Sequence, residues 1–313
     1  MSTLKENVQK VVDANAAMGT AMESFGIPGG VGGKLTDKAE VLEGIARCPA
    51  TVSAKRVGSK LYPMVFFDET CKGDLLVGNA LLITNVKGLE YMYSMFSGCT
   101  GLTSVTLPDG FGANATSMHS MFSGCTGLTS VTLPDGFGAN ATSMYSMFSG
   151  CTGLTSVTLP DGFGAKATSM HSMFSGCTGL TSVTLPDGFN LPACTNCSSM
   201  FQNCYSLTAV PDVLDLSACT NCEGMFDRCA SLTAVPTHLT ANGDNNLQIS
   251  FASSTLVSKA SVEAMADNLN DLTGSSKPPT VIFSSATKAL FTTDEWTALK
   301  AKFADKGWNV SPA

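Results

Sequence analysis

The apolar residues in the middle of the chain recur at two spacings within each short unit. In one unit, four of them follow the spacing i, i+3, i+4 and i+7: Met118, Met121, Phe122 and Cys125. This spacing is typical of a helix with one apolar face. Val131 and Leu133 then alternate with hydroxyl side chains, which predicts a short half-buried strand, and the sequence PDG at 134–136 predicts a turn. Each unit is therefore predicted to fold as a short helix, a strand and a turn.

The 26-residue sequence MFSGCTGLTSVTLPDGFGANATSMHS is repeated almost without change. Four close and two looser copies begin at or near Met95, Met121, Met147, Met173, Met200 and Met225. Because a unit of this size cannot bury its apolar face alone, the units are predicted to stack into a solenoid. One cysteine per unit falls on the inward i+7 position, where it is expected to pack as a small apolar residue: Cys99, Cys125, Cys151, Cys177, Cys204 and Cys229.

The pattern F-x-x-C-x-x-L-x-x-V-x-L-P resembles the BspA-like leucine-rich repeat family. It occurs in four close copies containing CTGLTSVTLP and in the looser MFQNCYSLTAVP and MFDRCASLTAVP, over roughly residues 85–240. The resemblance implies an α/β repeat solenoid, here placed at residues 85–246, that is used for adhesion and recognition and not for catalysis.

Residues 1–25 carry a heptad seam, in which apolar positions alternate at steps of four and three: Leu4, Val8, Val11, Asn15, Met18, Met22 and Phe25. Such a seam predicts a coiled-coil helix that joins copies of the chain, with Asn15 fixing the register. We expect a trimer, although the seam does not separate a trimer from a dimer. An amphipathic helix packed on its own domain is the alternative. The glycine-rich hinge at 26–33 favours the oligomer, because it detaches the helix from the rest of the chain.

Two further regions flank the repeats. Residues 34–84 are predicted to form a docking or cap region, with a helix begun by Asp37 and Glu40 and strand-like runs at 50–57 and 60–67. Residues 247–313 are predicted to form a C-terminal α/β cap, with a capping box at Thr292 and Glu295. Its predicted apolar helix faces consist of Val262, Met265 and Leu269, and of Trp296, Leu299 and Phe303.

The composition of the chain argues against several classes of function. Only 14% of residues are charged and the net charge is −7, which argues against nucleic-acid binding because that needs clustered Lys and Arg. No run of 18 apolar residues predicts a membrane span. The N-terminus lacks the apolar core of a secretory signal, so we expect synthesis in a cytoplasm and twelve cysteines that stay thiols.

The sequence predicts neither an enzyme nor a cofactor. None of the three histidines, at positions 119, 171 and 238, stands in a nucleophilic pattern, and no phosphate-binding glycine motif is present. The pairs Cys194/Cys197 and Cys219/Cys222 have zinc-ribbon spacing, but they lie one repeat apart. They align with Ala115 and Met118, so apolar substitution in a stacked core is favoured over a metal site.

Two sets of exposed positions are candidate ligand-binding surfaces. The first, the aromatic row, gathers most of the variation between copies: Tyr93, His119, Tyr145 and His171, continued by Ser198 and Glu223. The second, the hydroxyl row, follows the outer face of the strands: Ser104, Thr106, Ser130, Thr132, Ser156, Thr158, Ser182 and Thr184. The alternatives are drift after recent duplication for the first row, and the ordinary preference of threonine for strands for the second.

These features together predict a bacteriophage virion fibre or receptor-binding protein. Its N-terminus would oligomerise and attach to an anchoring protein of the virion, and its repeats would display a multivalent face to a host-surface glycan or protein. Release by lysis would require no export signal. A bacterial or protist BspA-like surface adhesin, located at the cell surface or outside the cell, and an intracellular interaction scaffold are the alternatives.

Overall fold

A computed structural model describes residues 90–107, 109–184 and 193–313 in full, preceded by the backbone of three strands. These strands are β1 (Ala50–Val57), β2 (Lys60–Phe67) and β3 (Lys72–Leu76), and β1 pairs with β2 in antiparallel fashion. The strands predicted at 50–57 and 60–67 are thereby confirmed. The heptad seam and the helix predicted to begin at Asp37 lie outside the described residues.

The repeats each contribute a short strand to parallel sheets. The strands are β4 (Gly101–Thr106), β5 (Ser130–Thr132), β6 (Ser156–Thr158), β7 (Ser182–Thr184), β8 (Val213–Leu216) and β9 (His238–Ala241). Val105 lies opposite Val131, and Val157 opposite Val183, so the residues of these strands pair with their equivalents 26 positions later. One sequence repeat is therefore one coil of a solenoid.

The predicted helix within each repeat is wrong. Residues 118–125 form consecutive turns, and alternate N–H groups donate to the next coil: Met118 to the Ser143 carbonyl (2.9 Å), Ser120 to Tyr145 (2.9 Å), Phe122 to Met147 (2.8 Å) and Gly124 to Ser149 (2.7 Å). The N–H groups of Met121, Ser123 and Cys125 instead donate to the residue three positions earlier in the same coil. Ser120 and Gly124 have φ of 56° and 74°, which a right-handed helix excludes.

The inward positions predicted from the helical spacing are nevertheless correct. Met118, Met121, Phe122 and Cys125 are all fully buried. Consecutive three-residue turns, like a helix, place residues i, i+3, i+4 and i+7 on the same side of the backbone. The spacing therefore determines which side chains are buried but not which hydrogen bonds the backbone forms.

One phenylalanine per coil forms a continuous stack through the core: Phe96, Phe122, Phe148, Phe174, Phe201, Phe226, Phe251 and Phe283. Neighbouring ring centroids lie 4.9–6.0 Å apart. A shorter second stack joins Phe111, Phe137 and Phe163 at 6.5 and 6.3 Å. Because each ring contacts the rings above and below it, burial of apolar surface couples every coil to its neighbours.

The inward cysteine column is also confirmed, and it has a second role. The thiol of Cys151 donates to the Phe122 carbonyl at 3.0 Å, and that of Cys177 donates to the Phe148 carbonyl at 3.0 Å. Burial raises the pKa of the Cys177 thiol to about 12, so this thiol stays protonated and remains a donor at neutral pH. The cysteines thus join the coils as well as filling space.

The C-terminal segment continues the stack with a different set of elements. It contains β10 (Gln248–Phe251), α1 (Lys259–Asp267), β11 (Thr280–Phe283), α2 (Ser285–Lys288), α3 (Thr293–Asp305) and β12 (Asn309–Pro312). Strands β10, β11 and β12 form one parallel sheet. The predicted capping box at Thr292 and Glu295 is present. The role of this segment as a cap stays a prediction.

The two predicted apolar helix faces are buried, and Leu269, just beyond the end of α1, is buried with them. Within the described part of the chain, α-helices occur only in this C-terminal segment. None of the described helices has the length and apolar character needed to cross a membrane.

Candidate recognition surface

A narrow ladder of backbone pairs fixes the base of the aromatic row. Single residues of successive coils pair in parallel along this ladder: Tyr91, Ser117, Ser143, Ser169, Asn196 and Asn221. Beside it, threonine hydroxyls donate to the carbonyl one coil back, as from Thr142 to Thr116 at 3.2 Å and from Thr168 to Thr142 at 3.1 Å. Residues two positions beyond the ladder are therefore held in a straight line along the solenoid.

The four rings of the aromatic row stack on one another. Ring centroids lie 4.8 Å apart for Tyr93 and His119, 4.5 Å for His119 and Tyr145, and 4.7 Å for Tyr145 and His171. The planes of adjacent rings differ by 5–12°. All four side chains are half-buried. The spacing matches the separation of neighbouring strands, so the pitch of the solenoid holds the rings in contact.

Stacking decides which atoms of the row a ligand can reach. His119 and Tyr145 each lie between two other rings, so both of their faces are covered and their edges remain. The edges carry the polar atoms, namely the tyrosine hydroxyl and the imidazole nitrogens. The row thus presents a line of hydrogen-bonding groups about one strand spacing apart.

Serine side chains orient the two imidazoles. Ser117 Oγ lies 2.9 Å from His119 Nδ1, and Ser169 Oγ lies 3.2 Å from His171 Nδ1. Because these contacts hold Nδ1 against the serine of the same coil, the opposite edge of each ring is turned away from the ladder. The serine two positions before each histidine is a site residue that sequence reasoning missed.

Beyond His171 the aromatic row carries non-aromatic side chains. At the next position stands Ser198, whose backbone N–H and hydroxyl both donate to Asn196 Oδ1, at 3.1 and 2.8 Å. At the following position the N–H of Glu223 donates to Asn221 Oδ1 at 3.0 Å. Asparagine therefore replaces the serine of the ladder where the rings end, and His171 is the last ring of the stack.

The hydroxyl row lies where the sequence predicts it, on the outer side of the strands. Its members are exposed except for Ser104, which is half-buried. A different set of threonines, which sequence reasoning did not separate from this row, joins the coils instead. Thr129 Oγ1 donates to the Thr103 carbonyl at 2.9 Å, and Thr181 Oγ1 to the Thr155 carbonyl at 3.0 Å.

A shallow polar hollow adjoins the threonines beside the ladder. It is lined by Glu90, Asn114, Thr116, Asn140 and Lys166. Lys166 Nζ donates to Asn140 Oδ1 at 2.7 Å, and Asn140 Nδ2 donates to the Ala113 carbonyl at 2.8 Å. Lys166 is one of the few departures from the repeat, yet this difference alone does not predict a hollow, because its lining comes from several coils.

The cysteine pairs occupy the sites predicted for them. The N–H of Cys197 donates to Asn221 at 2.8 Å, just as the N–H of Met170 donates to Asn196 at 2.9 Å. Cys197 thus stands at the methionine site, and Cys194 is buried beside it. Among the residues that the structure describes, no three potential ligands are grouped so as to hold a metal ion.

Comparison with known proteins yields one family and several distant structures. The model of the BspA type leucine rich repeat region matches residues 90–208 and 168–267, with six copies. A search of curated proteins found no match. Among solved structures, a leucine rich repeat protein of T. pallidum is 15% identical over 83% of this chain and 95% of its own, with a TM-score of 0.39.

Two further solved structures are similarly distant. A leucine-rich repeat protein from Bacteroides ovatus is 14% identical over 75% of this chain and 70% of its own, with a TM-score of 0.32. A leucine rich cell surface protein from Faecalibacterium prausnitzii is 16% identical over 80% and 98%, with a TM-score of 0.30. The family match spans more than half of the chain and coincides with the coils that the core columns define. The chain therefore belongs to the BspA-type leucine-rich repeat family.

Proposed function

We propose that this chain is a non-enzymatic recognition protein whose aromatic row contacts a glycan or protein on a cell surface. The observation behind the proposal is the stack of four half-buried rings, whose centroids lie 4.5–4.8 Å apart. The stack lies over a core that is nearly identical from coil to coil. Membership of a family of adhesion-type surface proteins supports the same conclusion.

The physical chemistry of the row suits contact with an extended, polar ligand. Tyrosine and histidine combine an apolar ring with polar edge atoms, and the stack already restricts the rings, so little side-chain entropy is lost on binding. Repetition of the same small surface converts weak single contacts into avidity. With only 14% charged residues in the chain, we expect this binding to depend little on salt concentration.

Removing rings from the row is expected to weaken binding. Tyr145→Ser combined with His171→Ser places at both sites the residue that the chain itself carries at Ser198. We expect roughly a thirtyfold loss of affinity, equivalent to about 2 kcal/mol, the usual contribution of an aromatic hot spot. The measurement is flow cytometry of fluorescently labelled full-length protein on a panel of bacterial and animal cells, followed by a glycan array.

The matched control changes the other candidate surface. Ser156→Ala combined with Thr158→Ala removes two exposed hydroxyls of the hydroxyl row and leaves the rings intact. Unchanged binding of this control supports the aromatic row. Loss of binding in the control alone would transfer the site to the strand face and contradict the proposal.

Two settings fit a recognition protein of this kind. A cell-surface adhesin is favoured by the family match. The narrower proposal, a bacteriophage virion fibre whose N-terminus oligomerises and binds an anchoring protein, is supported by the heptad pattern of residues 1–25 and the glycine-rich segment 26–33. In both settings the coils act as a display surface and not as a catalyst.

The mass of the protein in solution distinguishes the virion fibre from the cell-surface adhesin. Light scattering of the intact chain is expected to give a trimer, and a version that begins at Gly33 is expected to be a monomer, because the truncation removes the heptad seam. Circular dichroism of both proteins controls for folding. If both are monomeric, the fibre loses its physical basis and the adhesin remains.

A further inference from the structure

Two successive coils carry cysteine at two sites where earlier coils carry alanine and methionine. The replaced residues in the preceding coil are Ala167 and Met170. The paired replacement occurs in both coils together, as Cys194 with Cys197 and as Cys219 with Cys222. The first pair, here called the dithiol pair, has a geometry that suits a covalent reaction.

The two thiols of the dithiol pair are in direct contact. Cys194 Sγ lies 3.1 Å from Cys197 Sγ, and the side chains are 1% and 0% exposed. Cys194 Sγ also lies 3.4 Å from the Asn196 carbonyl within the same turn. The column cysteines behave differently, since Cys177 directs its thiol at a carbonyl of the preceding coil.

The contact divides the roles of the two sulfur atoms. A hydrogen bond from Cys197 lowers the pKa of the Cys194 thiol, whereas the same contact raises the pKa of Cys197. The thiolate is the form that attacks a disulfide, and these directions favour Cys194 over Cys197 as the attacking sulfur. No such division exists for Cys177, whose pKa burial raises to about 12.

We propose that Cys194 and Cys197 are a redox-active pair that closes to a disulfide when the protein meets a low-molecular-weight disulfide. Because both thiols are buried, the turn opens locally before the reaction. The Cys194 thiolate then attacks one sulfur of the oxidant, whose S–S bond breaks and releases one thiolate. Cys197 then gives up its proton and attacks Cys194 Sγ, which expels the second thiolate. The protein loses two electrons and two protons, and the oxidant becomes two thiols.

Formation of this disulfide would affect the coil next to His171, where the aromatic row ends. The loop closed by the disulfide contains Asn196, which pairs with Ser169 and Asn221 in the backbone ladder and holds Ser198. A covalent link across this turn removes freedom from the unfolded chain. The coil next to His171 would therefore be more stable in an oxidising medium than in a reducing one.

The test uses the full-length protein incubated with oxidised or reduced glutathione. After denaturation and alkylation, mass spectrometry is expected to find the peptide carrying both cysteines two hydrogens lighter and without alkyl groups. The thermal midpoint is expected to rise by a few degrees on oxidation. The matched variant combines Cys194→Ala with Cys197→Met, which restores the residues of the preceding coil, and it is expected to show neither change while remaining folded.

Two single variants test the assignment of roles. Cys197→Ser is expected to trap glutathione on Cys194, because the second attack cannot occur, whereas Cys194→Ser is expected to leave Cys197 unmodified. Full alkylation of both cysteines after oxidation, a disulfide to Cys219 in their place, or equal oxidation of Cys177 would overturn the proposal.

Discussion

Replacing Phe148 with alanine is expected to lower the free energy of unfolding by about 3–5 kcal/mol, the usual cost of removing a buried aromatic ring. The Phe148 ring is fully buried and stacks on Phe122 at 5.3 Å and on Phe174 at 5.5 Å. The substitution therefore opens a cavity and also breaks the stack between two coils. In a solenoid, stability is the sum of such nearest-neighbour contacts.

The measurement is urea unfolding followed by far-UV circular dichroism and by tryptophan fluorescence. Both tryptophans, Trp296 and Trp308, lie in the C-terminal segment, so fluorescence reports on that end while circular dichroism reports on all coils. Thr158→Ala, an exposed position in the same coil, is the control and is expected to change stability by less than about 0.5 kcal/mol. Equal midpoints for Phe148→Ala and this control would contradict the stacked core.

Replacing Gly153 with alanine is expected to lower the free energy of unfolding by about 3 kcal/mol, the upper part of the range for overpacking. The Gly153 N–H donates to the Thr126 carbonyl at 3.1 Å, at a point where two coils lie in close contact. A Cβ at Gly153 would lie 2.8 Å from that same oxygen and 3.2 Å from the Leu128 carbonyl. Both obstacles are backbone, so relief of the clash requires the coils to separate.

Gly136→Ala is the matched control because it isolates backbone strain from crowding. Gly136 has φ of 74°, but a Cβ there meets no atom within 4 Å. The expected cost is about 1–2 kcal/mol, that of one left-handed alanine. Thermal unfolding by circular dichroism ranks the two variants. A smaller loss for Gly153→Ala than for Gly136→Ala would contradict the close contact between the coils at Gly153.

The C-terminal helices α1 and α3 were predictable because their signals are local. The capping box of α3 joins Thr292 to Glu295, three residues away, and the buried face of the helix has the helical period. A helix satisfies its backbone hydrogen bonds within its own segment. A short stretch of sequence therefore contains most of what determines it.

The turns of the repeats were not predictable in the same way. Ser120 has a φ of 56° and donates its N–H to the Tyr145 carbonyl in the next coil. The partner lies 25 residues away, outside any local window. Periodicity alone thus favours a helix, and the choice between helix and turns depends on contacts between coils.

The repeat length, the register of one coil on the next, the buried columns and the membership of both candidate rows were all readable from the order of residues. These properties depend on the recurrence of residue types at a fixed interval, which is present in the chain before it folds. The folded solenoid was needed to establish that the rings of Tyr93, His119, Tyr145 and His171 stack and present their edges, and that the thiols of Cys194 and Cys197 touch. The physical reason is that both arrangements depend on the pitch of the solenoid and on the path of its turns, and these are set by hydrogen bonds between coils.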